Sequence, residues 1–233
     1  MAKLAIKNID NIKGRILFIG DVHGCKIELE TLLKKFSPTS KDMIIGLGDL
    51  INKGPDSRGV LNLINRYKIQ CIQGNHERRL LRSFEANKRK GLKPSDAYTL
   101  GHLHRKVWKS IAKWPQAIHL TEQKIICIHG GFLPDEPWHK TDPEVATTVQ
   151  VITSDGLPGK RSKNPVARPW ADFWNGSEKV LYGHTPREEV LRHDSAIGLD
   201  TSCVYGGKLT GWVYPEDNFI EVAAKKDYTA RWN

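Results

Sequence analysis

The sequence has no long apolar run: nowhere do apolar residues continue for the roughly 20 positions that a membrane-spanning helix needs. Mean hydropathy is −0.46 and 39% of residues are hydrophobic, which places the chain among globular proteins rather than helical membrane proteins. Cysteine is sparse. Cys25, Cys71, Cys127 and Cys203 each lie in or beside an apolar run and form no C-x-x-C pair, so buried thiols in a reducing compartment are expected, not disulfides or a zinc ribbon. Residues 1–14 mix lysines with isolated apolar residues and lack the core of a secretory signal, which predicts a cytoplasmic location. There is no internal repeat and no low-complexity tract, and 233 residues suit one domain spanning 1–233.

Acidic residues are also in short supply. Lys and Arg number 36 against 26 Asp and Glu, a formal charge of +10. Between Arg78 and Lys113 there are eleven basic residues and two acids, Glu85 and Asp96, so almost the whole excess lies in one segment. A solvated helical face accounts for such a run, and so does a field that draws in a polyanion.

What the chain does have is a series of short apolar runs that each stop at glycine and a ligand-type side chain. Ile16 to Gly20 reads as a buried strand ending in Asp21-Val22-His23-Gly24. Leu29, Leu32, Leu33 and Phe36 fall at helical spacing, and Ser37-Pro38 stops that helix. Met43 to Leu47 is a second strand, ending at Gly48-Asp49. Val60, Leu63, Ile64 and Tyr67 form a second helix, with Asp56 or Ser57 as its cap. Ile69 to Gln73 is a third strand, ending at Gly74-Asn75-His76-Glu77. Such a β-α-β-α-β series builds a mostly parallel sheet.

Further on, Leu100, Leu103, Val107 and Ile111 mark one helix inside the basic segment. Lys124 to Ile128 is a strand running into His129-Gly130-Gly131. Asp142-Pro143-Glu144 starts a helix that Val145, Val149 and Ile152 continue. Residues 154–169 read as a long loop, and Val180 to Tyr182 as a strand before Gly183-His184-Thr185. Residues 197–223 read as antiparallel strands turning at Gly206-Gly207, and 225–233 as a loosely held tail.

Every ligand-type cluster thus sits at the C-terminal end of a strand, the edge where open α/β sheets bind ligands. Asp21, His23, Asp49, Asn75, His129 and His184 supply oxygen and nitrogen donors for two first-row divalent metals. With no thiolate among them, a structural zinc site does not fit. Two metals side by side clamp both oxygens of an in-line phosphoryl displacement.

The motifs GDVHG (20–24), GDLINKG (48–54), GNHE (74–77), HGG (129–131) and YGHT (182–185) resemble, in order and spacing, those of the phosphoprotein phosphatase superfamily of calcineurin-like metallophosphoesterases. The resemblance implies an α/β fold in which a β-sandwich is flanked by helices. It implies one metal on Asp21, His23 and Asp49, and a second on Asp49, Asn75, His129 and His184. Manganese is the implied metal, and iron, zinc or cobalt suit the same ligands. It also implies that water held between the metals attacks phosphorus directly, without a phosphoenzyme. His76 is the implied general acid, with Asn52 as its supporting catalytic residue.

Lys53, Arg168 and Tyr205 are the substrate-binding candidates. Asn52 and Lys53 depart from the protein-phosphatase pattern, which has Asp and Arg there. Asn52 offers a hydrogen bond without charge, and Lys53 lacks the bidentate fork of Arg. NKGP followed by Asp56-Ser57 is similar to the ApaH-like relatives of diadenosine tetraphosphatases, whereas GNHE is the protein-phosphatase form. The leading expectation is a hydrolase of dinucleoside polyphosphates or related capped or polymeric anions. A serine/threonine or dual-specificity protein phosphatase is the alternative. From another class, the alternative is a nucleic-acid-binding protein with a non-catalytic metal site. No membrane association and no stable nucleic-acid partner are expected. His102, His104, His119, His139 and His193 match no motif, and Trp108, Trp114, Trp170 and Trp174 read as packing residues.

Overall fold

The computed structural model describes residues 3–134 and 136–232. One sheet runs, edge to edge, through Asn218–Ala223 (β14), Lys208–Tyr214 (β13), Ile16–Ile19 (β2), Met43–Gly46 (β3) and Gln70–Cys71 (β4). The other runs through Ile6–Ile9 (β1), Ala117–Leu120 (β5), Ile125–Ile128 (β6), Lys179–Tyr182 (β10), Ala196–Gly198 (β12) and Leu191–Arg192 (β11). A small third sheet orders Pro158–Gly159 (β8), Val151–Ile152 (β7) and Arg168–Pro169 (β9).

Strands that are apolar on both faces must be covered on both sides, and that requirement stacks the layers. All four residues of β2 are buried: Leu17 and Ile19 pack outward with helices, Ile16 and Phe18 inward against the other sheet. In β6, Ile126 and Ile128 face outward while Ile125 and Cys127 join the same inter-sheet core. The two-residue period of a strand therefore divides the core into an outer layer on each side and a shared layer between the sheets. This is the expected β-sandwich flanked by helices.

The parallel series β2, β3, β4 is built as the sequence predicts, with Lys26–Phe36 (α1) and Ser57–Tyr67 (α2) as crossovers. α1 buries Leu29, Leu32, Leu33 and Phe36, and Asp56 caps α2 by accepting from the Gly59 N–H at 2.7 Å. All four cysteines are buried and free. Trp108 and Trp170 are packing residues, as expected.

Elsewhere the structure differs from the sequence reading. The helix predicted across 100–111 is two, Pro94–His102 (α4) and Arg105–Ile111 (α5), because Leu103 is extended and the His104 ring accepts the Lys106 N–H to start a new helix. The helix after Pro143 is one turn, Val145–Thr148 (α6), and Ile152 belongs to β7. Residues 154–169 are not simple loop but carry β8 and β9. The antiparallel hairpin of the last stretch is β13–β14, turning at 215–217. Gly206-Gly207 lies before it, and β12 joins the other sheet in parallel with β10. β1 was not expected: its partner β5 lies about a hundred residues away, so its pairing leaves no local signal.

The end of the chain is docked rather than loose. The Tyr228 hydroxyl donates to buried Glu28 at 2.7 Å, Asp227 bridges to Tyr205, and Trp232 Nε1 donates to the Lys53 carbonyl. Asn233 lies outside the described residues.

Candidate metal centre

Five strands from two sheets end at one place. Asp21 and His23 follow β2, Asp49 follows β3, Asn75 and His76 follow β4 and open Asn75–Glu85 (α3), His129 follows β6, and His184 follows β10. Glycine allows the loops to touch: a Cβ on Gly48 (φ +89) would lie 2.7 Å from the Gly74 nitrogen and 2.8 Å from His129 Nδ1. A Cβ on Gly183 would lie 2.1 Å from Asp21 Oδ1. His23, Asp49, Asn52, Lys53 and His184 all adopt positive φ, backbone strain gathered in the loops that meet here.

The side chains converge on Asp49. Its Oδ2 is 3.4 Å from His23 Nε2 and its Oδ1 is 3.4 Å from His129 Nε2. Asp21 Oδ2 lies 3.9 Å from His23 Nε2. Asn75 Oδ1 lies 3.1 Å from His129 Nε2 and 3.0 Å from His184 Nδ1. His76 Nε2 reaches within 3.9 Å of Asp49 Oδ2.

The opposite ring nitrogens show which atoms are free to bind a cation. His23 Nδ1 donates to the Ile51 carbonyl (3.3 Å), His129 Nδ1 to the Leu47 carbonyl (2.8 Å) and His184 Nε2 to the Thr148 carbonyl (2.9 Å). A carbonyl can only accept, so each ring keeps a proton on that side and its cleft-facing nitrogen is the one a cation would take, the arrangement that orients metal-ligating histidines. Burial pushes His23 and His184 down to about 3, which keeps them neutral. Burial also opposes ionisation of Asp49, but His129, His76 and His23 outweigh it and hold the carboxyl well below its usual range. His129 goes the other way: burial lowers it, yet Asp49 and Asp21 raise it to about 10. A buried site that attracts positive charge this strongly, through imidazole, carboxylate and amide-oxygen donors, fits divalent cations.

Glu77 of GNHE was missed as a site residue. Fully buried, its carboxylate accepts the N–H groups of Asp49 (2.9 Å), Leu50 (2.9 Å), Ile51 (3.1 Å) and Gly74 (2.9 Å). Those donors belong to the Asp49 turn and to the start of α3, so Glu77 shapes the loop that carries the shared carboxylate. Glu in this motif is thus accounted for by loop structure, without reference to substrate. Asp96 and Arg79, inside the basic segment, also reach the site, and Asp200 is buried near Asp21, its carboxyl pushed up to about 6 chiefly by burial. Asp96 left a faint sequence signal as one of two acids in a strongly basic stretch.

The other candidates divide. Lys53 Nζ lies 3.0 Å from His23 Nε2 and donates to the Tyr205 hydroxyl at 2.9 Å, so these two arrive together at the cleft. Asn52 Nδ2 lies 2.8 Å from His76 Nδ1. Arg168 does not arrive: its side chain is 63% exposed, donates to Asp172 and stacks over Phe173. Arg161 is the guanidinium from that stretch that meets the His184 loop, donating to the Pro186 carbonyl at 3.0 Å. Arg78 and Arg82 both face Glu144, at 3.6 and 2.6 Å.

The profile of the calcineurin-like phosphoesterases matches residues 14–188. The chain is 31% identical to the asymmetrical bis(5'-nucleosyl)-tetraphosphatase PrpE of Oceanobacillus iheyensis, over 93% of this chain and 95% of that one. It is 28% identical to the protein of the same name from Bacillus subtilis, over 90% and 95%. A crystal structure of a "putative diadenosine tetraphosphatase" superposes with a TM-score of 0.85 at 32% identity, covering 95% and 98% of the two chains. A Saccharomyces cerevisiae protein serine/threonine phosphatase reaches 0.56 at 15% identity, covering 95% and 84%, which is likeness of fold. By profile, by end-to-end likeness and by the convergence of its five loops, this chain belongs to the calcineurin-like phosphoesterase family and is a divalent-metal phosphohydrolase.

Proposed function

We propose that the protein hydrolyses dinucleoside polyphosphates. The observation that carries the reading is the 31% identity, over nearly the full length of both chains, to a bis(5'-nucleosyl)-tetraphosphatase. The retention of every expected ligand type in one cleft supports it. Asp21, His23 and Asp49 would hold one cation, and Asp49, Asn75, His129 and His184 the other. Mn²⁺ is the metal of this reading, and the same donors suit Fe, Zn or Co. When bound, such a pair supplies Lewis-acid polarisation of a phosphoryl group and a water of lowered pKa.

The protein's own residues do the rest. Lys53 and the Tyr205 hydroxyl stand beside His23, where a point charge and a hydroxyl can take phosphate oxygens. Arg161, beyond His184, is placed for a further phosphate. His76 presents Nε2 to the cleft, where the leaving oxygen departs. The whole chain, 1–233, acts as one catalytic domain. No helix among the described residues is long and apolar enough to cross a membrane, and a cytoplasmic place is part of the reading.

A panel of diadenosine tetraphosphate, polyphosphate, capped RNA and phosphopeptides, run with Mn²⁺, tests it. Diadenosine tetraphosphate is expected to turn over fastest, giving AMP and ATP rather than two ADP. Faster turnover of phosphopeptides would overturn the assignment.

A further inference from the structure

Lys53 and Tyr205, which meet at the cleft, come from loops far apart in the chain. Lys53 lies between β3 and α2, and Tyr205 in the loop before β13. Both Asn52 (φ +78) and Lys53 (φ +61) hold positive φ, a conformation that persists only where the surroundings enforce it. From inside the fold, the Gly54 N–H donates to the His23 carbonyl at 2.8 Å, and Asp96 and Thr99 of α4 hold the Asn52 side chain at 2.7 and 2.9 Å. A further restraint comes from the end of the chain, where Trp232 Nε1 donates to the Lys53 carbonyl. The indole is fixed in turn. The Tyr98 ring of α4 lies 5.4 Å from it, centroid to centroid, and the Arg231 guanidinium lies 4.2 Å over the indole and 4.9 Å over Tyr98. The same terminal segment grips Tyr205. Asp227 pairs with Tyr205 in an antiparallel bridge, and the Tyr228 N–H donates to the Val204 carbonyl at 3.0 Å. Tyr228 is anchored in the core: it packs with Cys203 and Val204, and its hydroxyl donates to buried Glu28. Residues 227–232 thus hold both loops at once.

We propose that the terminal segment serves the substrate site: Trp232 sets the backbone from which Lys53 reaches the cleft, and the 227–228 pairing holds Tyr205 opposite it, so that the segment governs affinity for the phosphoryl group. A lysine is a point charge on a flexible four-carbon stem, so its reach is defined only as well as its backbone. Lys53 Nζ meets the Tyr205 hydroxyl at 2.9 Å and lies 5.0 Å from the centroid of the Tyr205 ring, and that meeting needs both loops in place. When the Lys53 carbonyl loses its donor, the strained turn gains freedom. Ordering it again on each encounter with substrate then opposes binding. The cation ligands have their own supports, Asp49 through Glu77 and His129 through the Leu47 carbonyl, so the effect falls on KM and not on kcat. Trp232 is a positioning residue that acts through Lys53. This rests on the reading of Lys53 as a ligand of phosphate oxygens.

The test uses the full chain with Mn²⁺ and 4-nitrophenyl phosphate, and does not require diadenosine tetraphosphate to be a substrate. Trp232→Phe keeps an aromatic ring beside Tyr98 and removes the N–H. KM for 4-nitrophenyl phosphate and the inhibition constant of inorganic phosphate are expected to rise together by about two- to tenfold, the range for one lost hydrogen bond. Metal content and kcat should stay as in the wild type. An unchanged KM overturns the proposal, and so does a loss confined to kcat. Lys53→Met separates positioning from general loosening. In that background Trp232→Phe is expected to add nothing, because the group it acts through is gone. The same rise in KM in both backgrounds overturns the route through Lys53. If Lys53→Met alone leaves KM unchanged, the reading of Lys53 fails and the proposal fails with it. If instead diadenosine tetraphosphate proves inert while the results with 4-nitrophenyl phosphate hold, only the substrate assignment fails.

Discussion

The two ends of helix α3 carry similar residue types and have opposite roles. At the N-terminal end, Asn75, His76, Glu77 and Arg79 all turn toward the cleft. The His76 N–H donates to Asp49 Oδ1 at 2.9 Å, setting the shared carboxylate on the positive end of the helix dipole. Beyond the C-terminal end, Lys88, Arg89 and Lys90 are exposed, and the nearer Arg82 is engaged by Glu144. Charge density along the sequence does not separate the two ends. What separates them is where the acid partner lies: Asp96 for Arg79 and Asp49 for the helix start are buried at the ligand cluster, whereas Glu144, the partner of Arg82, is exposed. A basic run is thus divided by tertiary contact into a part held beside the ligand cluster and a part on the solvated surface.

The comparison breaks first at Asp49. Asp49→Asn removes the charge on which both cation sites and the start of α3 depend. Turnover should fall to background and metal analysis should find fewer than two ions per chain, while full activity with two ions bound would undo the site. Next comes His76→Asn, which removes one hydrogen-bond donor to developing charge. It should lower kcat by about 10²–10³-fold with the metals retained.

Glu77→Gln keeps the shape and removes the carboxylate shared by four backbone N–H groups. An outer support of this kind is worth about 10–100-fold in activity or metal affinity, read as a weaker metal dissociation constant at unchanged far-UV circular dichroism. A charge pair away from α3 gives a baseline. The Arg15 guanidinium, 2.8 Å from Asp42, holds that carboxyl well below its ordinary 3.8 through its hydrogen bond. A depressed carboxyl contributes stability that is complete above 3.8 and is lost as pH falls through the folded value. The urea midpoint of the wild type should therefore drop below about pH 4, and that of Asp42→Asn should drop less.

The smallest effect belongs to the outer end. Neutralising Lys88, Arg89 and Lys90 together should raise KM for long polyphosphate by about two- to tenfold, since each exposed contact is worth below about 1 kcal/mol. It should also flatten the salt dependence and leave 4-nitrophenyl phosphate turnover unchanged. A loss as large as that from His76→Asn would mean the two ends are not functionally distinct.

The ligand clusters were legible because each is local. Asp21 and His23 fall within one turn, and Asn75, His76 and Glu77 are consecutive. The fold of the first third was legible for the same reason, since apolar spacing reports which face of a nearby strand or helix is buried. The break at Leu103, the strand at 6–9 and the three-strand fate of 151–169 were not legible. The first turns on a single extended residue, the second on a partner distant in the chain, and the strands at 151–169 are two residues each, too short to show a period.

Arg168 shows the limit within the site. Its sequence position suggested phosphate binding, but nothing in sequence says that Asp172 and Phe173 claim it. Asn52 shows the converse: a lost carboxylate at one position is answered by Asp96, forty-four residues later, through Arg79. The sequence by itself determined the donor types, their order and the sheet edge that carries them, because those are set by backbone period and local spacing. Only the tertiary structure decided what the second ring nitrogen of each histidine meets, a carbonyl for His23, His129 and His184 and the Asn52 and Arg79 side chains for His76, because those partners come from segments that only folding brings together.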